Sequence, residues 1–178
     1  MFFDRQQENA LQLEGRSSDF PFGAPGQPSE ELKVPIADGP TALYKLWLSK
    51  IGNSGLPKKS DFKPTEMVRH ISHVYLIDII DEARDFQVRL FGTEVADMLG
   101  KDYTGVLLSE TPPEINWRGD IYELAYRRQE PVFYLFDLAP YGRDYIETEN
   151  ALFPLLDDNG KLAHLLCISI RTDEDSLL

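Results

Sequence analysis

The sequence predicts an α+β fold in which an antiparallel sheet carries helices on one face. Two observations predict it. Segments rich in β-branched and aromatic residues occur as one pair in the middle of the chain and as three near its end, joined by polar turns. A block of helical periodicity separates the two groups, so strands do not alternate with helices as they do in parallel sheets.

The predicted domain follows a segment without apolar periodicity. Between Gly15 and Pro40 the chain has four Gly, five Pro and three Ser residues, a composition typical of linkers and disordered arms. We therefore expect a flexible arm over residues 1–38, one domain over residues 39–174 and a C-terminal tail over residues 175–178.

The charge balance restricts the kinds of partner. Thirty acidic residues against 18 Lys and Arg give a formal charge of −12, which repels phosphate backbones and anionic lipids. We expect neither nucleic acid nor a membrane as partner, and no stretch reaches the roughly 18 apolar residues of a membrane span. Cys167 is the single cysteine, which fits a reducing, cytoplasmic compartment.

Three helical segments are predicted from apolar spacing. The first covers residues 41–51, whose apolar positions share one helix face: Leu43, Leu46, Trp47 and Ile51. Residues 92–99 form one or two helical turns that end at Gly100. Residues 114–129 form the most clearly predicted helix, and a further short helix is expected over residues 65–70.

The first strand pair reads as a hairpin over residues 74–80 and 85–91, with a polar turn between. A turn centred between Ala83 and Arg84 places Ile79 opposite Val88. The same register places Asp78 opposite Arg89 on the other face, where opposite charges attract.

The last three strands are predicted over residues 131–138, 145–156 and 161–171. The final two are joined by Asp157-Asp158-Asn159-Gly160, residue types that favour a tight turn.

A pattern of spaced residues runs through these elements. After the second strand, Gly92 precedes a helix that ends in Leu99-Gly100, and Gly105 follows. The other positions of the pattern are, in chain order, Trp47, Leu56-Pro57, Phe62, Pro64, Arg89, Thr93, Arg128, Pro131, Pro154-Leu155, Asp158 and Gly160. This ordered set, over roughly residues 40 to 172, resembles a PAS domain, and more closely a bacterial single-domain PAS family.

The resemblance implies a five-stranded antiparallel sheet flanked by helices, with a pocket or a core between them. It also implies a role in sensing a small ligand, or in dimerisation and docking during signalling. Because no kinase, cyclase or DNA-binding segment is recognisable, we expect the output to pass through contact with signalling proteins, and we expect a homodimer.

Aromatic residues are the candidates for the lining of such a pocket: Tyr103, Trp117, Tyr122, Tyr126, Phe133 and Phe153. His164 has the parity of Leu166 on the last strand and joins them as a ligand contact. A plain aromatic core containing a hydrogen-bonded histidine is the alternative.

Trp47, Asp78 and Arg89 are candidates for an interface or a structural polar group. Asp78 and Arg89 form either an ion pair between strands or a site for a polar ligand. Their parity opposes the apolar row of Ile77, Ile79, Val88 and Leu90. We therefore expect them on the outer sheet face, covered by the Trp47 helix or by a second subunit.

No cofactor is expected from the sequence. The PAS resemblance implies a helical Cys for flavin photochemistry and a His on the long helix for haem, whereas Cys167 lies on the last strand and residues 114–129 contain no His. His70 and His73 lack an evident third metal ligand. An unidentified small molecule in the pocket remains the hypothesis.

The sequence also lacks the usual enzyme motifs: a Gly-rich phosphate loop, a nucleophile elbow, or His-x-x-x-His and Cys-x-x-Cys spacing. The preferred interpretation is a non-enzymatic signalling PAS domain that acts through protein–protein interaction and senses a small ligand. The alternatives are a small-molecule enzyme of similar shape with a buried acid–base pair, and a homodimeric scaffold without a ligand.

Overall fold

Antiparallel pairing joins six strands into one sheet in the computed structural model, which describes residue 20 and residues 28–53, 55–138 and 143–173. The strands are β1 (Glu30–Leu32), β2 (Val74–Ile80), β3 (Asp85–Phe91), β4 (Val132–Leu138), β5 (Arg143–Leu156) and β6 (Leu162–Arg171). Their order across the sheet is β1-β4-β5-β6-β2-β3. The predicted α+β class with an antiparallel sheet is confirmed.

Helices occur at the predicted places, but the helix predicted over residues 114–129 is divided into two at Trp117. They are α1 (Asp38–Lys50), α2 (Thr93–Leu99), α3 (Pro113–Asn116) and α4 (Arg118–Arg128), with 3-10 turns at Lys59–Asp61, Pro64–Met67, Ile71–His73 and Leu108–Glu110. Gly100 ends α2 with a φ of 77°, a conformation that costs glycine little. Within the described residues, no helix is both long enough and apolar enough to cross a bilayer.

The two faces of the sheet are buried in two separate cores. On the face that we call inner, α2, α3 and α4 cover alternate residues of the central strands, including Tyr134, Leu152 and Leu165. On the outer face, α1 covers the residues between them: its Leu43 and Trp47 pack on Phe133, Phe153 and Leu166. The helix predicted before the sheet therefore lies on the side opposite the other helices.

Strand β1 lies within residues 1–38, the segment for which a flexible arm is predicted. Glu30 pairs with Leu135, so a sixth strand extends the expected five. The Glu31 carboxylate accepts a hydrogen bond from Arg128 of α4. Three residues are too few to show a period of two, and β1 pairs with a strand about a hundred residues away. Residues 1–19, 21–27 and the predicted tail at 175–178 lie outside the described residues.

The first hairpin has the predicted strand bounds but a different register. Ile79 pairs with Phe86, not with Val88, because the chain turns through four residues between the strands. The pairing then shifts at Leu76/Ile77. Beyond this bulge Leu90, which the sequence places in the inner row, pairs with Leu76 and is 50% exposed.

A buried carboxylate fixes the start of α1. Glu149 of β5 is 2% exposed, and its two oxygens accept hydrogen bonds from the backbone N–H groups of Ile36 at 2.8 Å and Ala37 at 2.9 Å. Negative charge at a helix N-terminus also complements the helix dipole. Trp47 adds a second attachment, since its indole Nε1 donates to the Pro154 carbonyl oxygen at 3.0 Å.

Asp85 joins the start of β3 to the 3-10 turn that follows α2. Its carboxylate accepts hydrogen bonds from the Ser109 hydroxyl at 2.5 Å and the Ser109 N–H at 3.1 Å. Desolvation alone would raise the pKa of Asp85, but the hydrogen bonds from Ser109 and the Phe86 N–H outweigh it and lower the pKa. The ionised form is therefore the one that the fold favours.

We expect Glu149→Ala to lower the free energy of unfolding by about 2 kcal/mol, because two backbone donors lose a charged acceptor. The measurement is urea denaturation followed by circular dichroism. The matched control is Glu147→Ala, an exposed position on the same strand, where the change should stay within about 0.5 kcal/mol. Equal effects of the two substitutions would contradict the capping role.

We expect Asp85→Ala to cost about 1 kcal/mol at neutral pH, with the difference from wild type shrinking as the pH falls. Asp85 has a lower pKa in the folded state than in the unfolded state. Its stabilisation is therefore complete above the unfolded pKa of about 4 and is lost as the pH falls through the folded value. Urea midpoints at several pH values test this, with exposed Glu110→Ala as control. A difference independent of pH would count against it.

Candidate functional site

A cavity lies on the inner face, between the sheet and helices α2 to α4. Its apolar wall includes Val88 of β3, Val95 and Met98 of α2, and Leu138 of β4. The cavity volume is about 30 Å³, which holds about one or two water molecules. A larger occupant therefore requires the wall to move outward.

The floor of the cavity is polar, because neighbouring inner-face positions of β5 and β6 carry Thr148, Asn150 and Ser169. The Thr148 hydroxyl donates to the Phe136 carbonyl oxygen at 3.0 Å. The Asn150 amide nitrogen donates to the Thr148 hydroxyl oxygen at 2.9 Å. This arrangement fixes which end of the Asn150 amide carries the nitrogen.

Two polar atoms of this floor have no hydrogen-bond partner in the part of the chain that the structure describes: the Asn150 carbonyl oxygen Oδ1 and the Ser169 hydroxyl. Asn150 is 5% exposed and Ser169 is 9% exposed, and the two residues pair directly across β5 and β6. Both residues line the cavity, so one acceptor and one hydroxyl are available to an occupant.

Two tyrosine hydroxyls add neutral donors. Burial raises the pKa of Tyr75 well above its ordinary value, and it does the same for Tyr122, which also interacts with the Tyr75 hydroxyl. Burial likewise raises the pKa of the Cys167 thiol behind them. All three groups stay protonated at neutral pH, so none brings negative charge to the cavity.

Arg118 is the charged residue among the described residues of the cavity lining. Its guanidinium carbon lies 4.7 Å from the ring centre of Trp117 and 5.4 Å from that of Phe136. Trp117 and Phe136 stack on each other at 4.7 Å. This packing holds the cation at the cavity through cation–π contacts.

The candidate residues from the sequence divide between the two faces. Tyr103 and Tyr122 line the cavity, and Trp117 packs beside it against Phe136. Tyr126 is half-buried on α4 and does not reach the lining. Phe133 and Phe153 belong to the outer core beneath α1.

His164 also lies on the outer face, where it contacts the predicted pair of Asp78 and Arg89. The Asp78 carboxylate, 6% exposed, contacts His164 Nδ1 at 2.8 Å and accepts from Arg89 Nε at 2.6 Å. The ion pair expected between Asp78 and Arg89 therefore forms, although Arg89 sits at the bulge and not directly opposite Asp78. Trp47 is 4% exposed and is enclosed by its own chain.

The polar floor of the cavity and Arg118 were not predicted from the sequence. A signal was present in β5, since Thr148 and Asn150 alternate with residues of the opposite face on a strand that is otherwise apolar. Among the described residues, His, Cys, Asp and Glu side chains form no group of three that could hold a metal ion.

Comparison with known proteins identifies the family. Neither curated proteins nor solved structures give a significant match. A family model described as PAS domain matches residues 38–169, which span α1 and the sheet from β2 almost to the end of β6. The order of these elements, the antiparallel sheet and the inner cavity agree with that match, and the chain belongs to the PAS domain family.

Proposed function

We propose that this chain is a cytoplasmic signalling domain that binds a small molecule in the inner cavity and acts by contact with signalling proteins. PAS domains generally have sensory or signalling roles, which supports the coarse assignment. The observation that supports the ligand is that Asn150 Oδ1 and the Ser169 hydroxyl, which have no partner among the described residues, line a cavity with an apolar wall. Ligand sites have this composition.

A route from the cavity to the surface supports the proposed output. Helix α4 carries Arg118 and Tyr122 at the cavity and Arg128 at its other end, where Arg128 bonds Glu31 of β1. A ligand that displaces α4 therefore acts on the edge of the sheet as well. Since β1 leads into α1, both elements can report the state of the cavity to a partner.

The placement of the acid–base groups supports an enzyme less well than it supports a binding domain. Asp78 and His164 are hydrogen-bonded to each other, as an acid–base pair would be. They lie on the outer face, however, with the sheet between them and the cavity. The cavity lining itself holds one cation and neutral hydroxyls.

A titration with four probes that share one apolar body tests the ligand. We expect at least one of isobutyrate, isobutyramide, isobutylamine and isobutanol to shift the amide signals of residues 118, 150 and 169 in ¹⁵N-labelled full-length protein. Ser169→Val, which fills the cavity and removes the hydroxyl, should weaken that binding at least tenfold while the protein stays folded. No shift with any probe at millimolar concentration would overturn the proposed ligand site.

We also propose that the chain is a homodimer through the outer surface of α1. Because Trp47 is buried, the candidates for this contact are two exposed apolar residues: Leu48 of α1 and Ile51, which directly follows the helix. Each is 44% exposed, and they lie three positions apart in the sequence.

We expect Leu48→Glu combined with Ile51→Glu to halve the particle mass measured by light scattering, because charge is placed at a twofold contact. The control is Val34→Glu, an apolar residue that is 61% exposed and lies outside the helix, and it should leave the mass unchanged. A monomeric wild type, or a mass that the double variant does not change, would contradict this interface.

A further inference from the structure

We infer that a groove between α1 and residues 64–70 docks a segment of a partner protein that is acidic and carries leucine side chains. The inference rests on the proposed function and names the chemistry of its partner, because that function acts by contact with signalling proteins. It depends on the shape of the groove, on the charge around it and on the apolar residues within it.

The groove lies on the outer side of the molecule, where α1 and Met67 pack on the same core. Ala42 and Lys45 line it from the helix, and Met67 and Arg69 line it from the turn. Leu46 joins Ala42 and Met67 in an apolar floor. The groove volume is about 450 Å³, against about 30 Å³ for the inner cavity. The groove therefore has room for several side chains of a partner.

The outer cover of the sheet is basic, although the chain as a whole is acidic. Residues 38–73, from the start of α1 to the start of β2, contain six Lys or Arg and three Asp or Glu, whereas the whole chain has a formal charge of −12. A surface of one sign attracts a partner of the opposite sign and steers its approach. An acidic segment is therefore the partner that complements this surface.

Two cations of the groove are available to such a partner. Lys45 and Arg69 are exposed, and they form no hydrogen bond or ion pair within the described residues. By contrast, the exposed Arg84 and Arg127 each pair with a carboxylate of their own element or turn. Because Lys45 and Arg69 line the groove from its two sides, carboxylates of one docked segment can contact both.

The acidic residues of the groove do not oppose this partner, since both are already compensated. Glu66 accepts hydrogen bonds from Lys50 Nζ at 2.6 Å and from the Lys63 N–H at 2.9 Å. The hydrogen bond from Lys50 is the main reason why the pKa of Glu66 is lowered. Asp38 lies in the first turn of α1, where the positive end of the helix dipole faces it.

Apolar contacts have to supply most of the affinity, because exposed ion pairs contribute little on their own. The apolar floor offers such contacts, and Val68, between two residues of the lining, is 70% exposed. We therefore expect a segment in which leucine lies next to Asp or Glu. An anionic lipid surface is a poorer match, because the charge of the whole chain repels it.

The test is a titration of full-length ¹⁵N-labelled protein with three hexapeptides, blocked at both ends, at constant ionic strength. Asp-Glu-Leu-Asp-Glu-Leu has both features, Asn-Gln-Leu-Asn-Gln-Leu lacks the charge, and Asp-Glu-Ser-Asp-Glu-Ser lacks the apolar side chains. We expect the first peptide to shift the amide signals of residues 42, 46, 67 and 69. It should bind at least tenfold more tightly than either of the other two.

Charge reversal assigns the binding to the groove. Lys45→Glu combined with Arg69→Glu should weaken binding of the acidic peptide at least tenfold, because two attractions become repulsions. The matched control is Lys101→Glu combined with Lys161→Glu, which changes the net charge equally at exposed positions outside the groove and should weaken binding less than threefold. Val68→Ser should also weaken it. Because all these side chains are exposed, each variant should keep the thermal midpoint of the wild type.

Each other outcome overturns a defined part. A neutral peptide that binds as tightly as the acidic one would overturn the charge of the partner. Binding that the groove variant does not weaken would overturn the groove as its site. If no peptide binds, or if only vesicles of phosphatidylserine and phosphatidylcholine do, a protein partner at this groove is excluded. The cavity ligand is measured separately at residues 150 and 169, so loss of the groove alone leaves that part of the proposed function standing.

Discussion

Strand β5 is buried on both faces, and the alternation of its side chains determines what lies above and below the sheet. Its residues Thr148 and Asn150 form the cavity floor, while Glu149 between them holds the start of α1. A slip of one residue would move the carboxylate into the cavity and Asn150 beneath the helix. The register of β5 against β4 and β6 is therefore specified from both sides, and the cavity and α1 depend on it together.

The cavity departs from the rest of the inner core in a way that packing alone does not explain. Asn150 and Ser169 bring polar atoms to the cavity, whereas the core around it is built from aliphatic and aromatic side chains. The proposed ligand would account for polar residues at these positions.

Local patterns predicted most elements, because hairpins and amphipathic helices are encoded over a few residues; the strand bounds of β2 and β3 are one example. Long-range features were not predictable in the same way. β1 lacks enough residues to show a period, and the bulge that exposes Leu90 depends on turn geometry. Phe133 and Phe153 were predicted in the site because they are aromatic. Alternate residues of a strand face opposite cores, however, and the positions of these two residues place them under α1.

The family-matched region begins at residue 38, after β1. A protein shortened to that region would keep α1 and the cavity but would lose the strand that covers β4. The uncovered backbone donors and acceptors of β4 would then form an open sheet edge, which is a template for pairing with another chain. Because β1 pairs with Phe133, Tyr134 and Leu135 of that edge, shortened versions of this protein should include it.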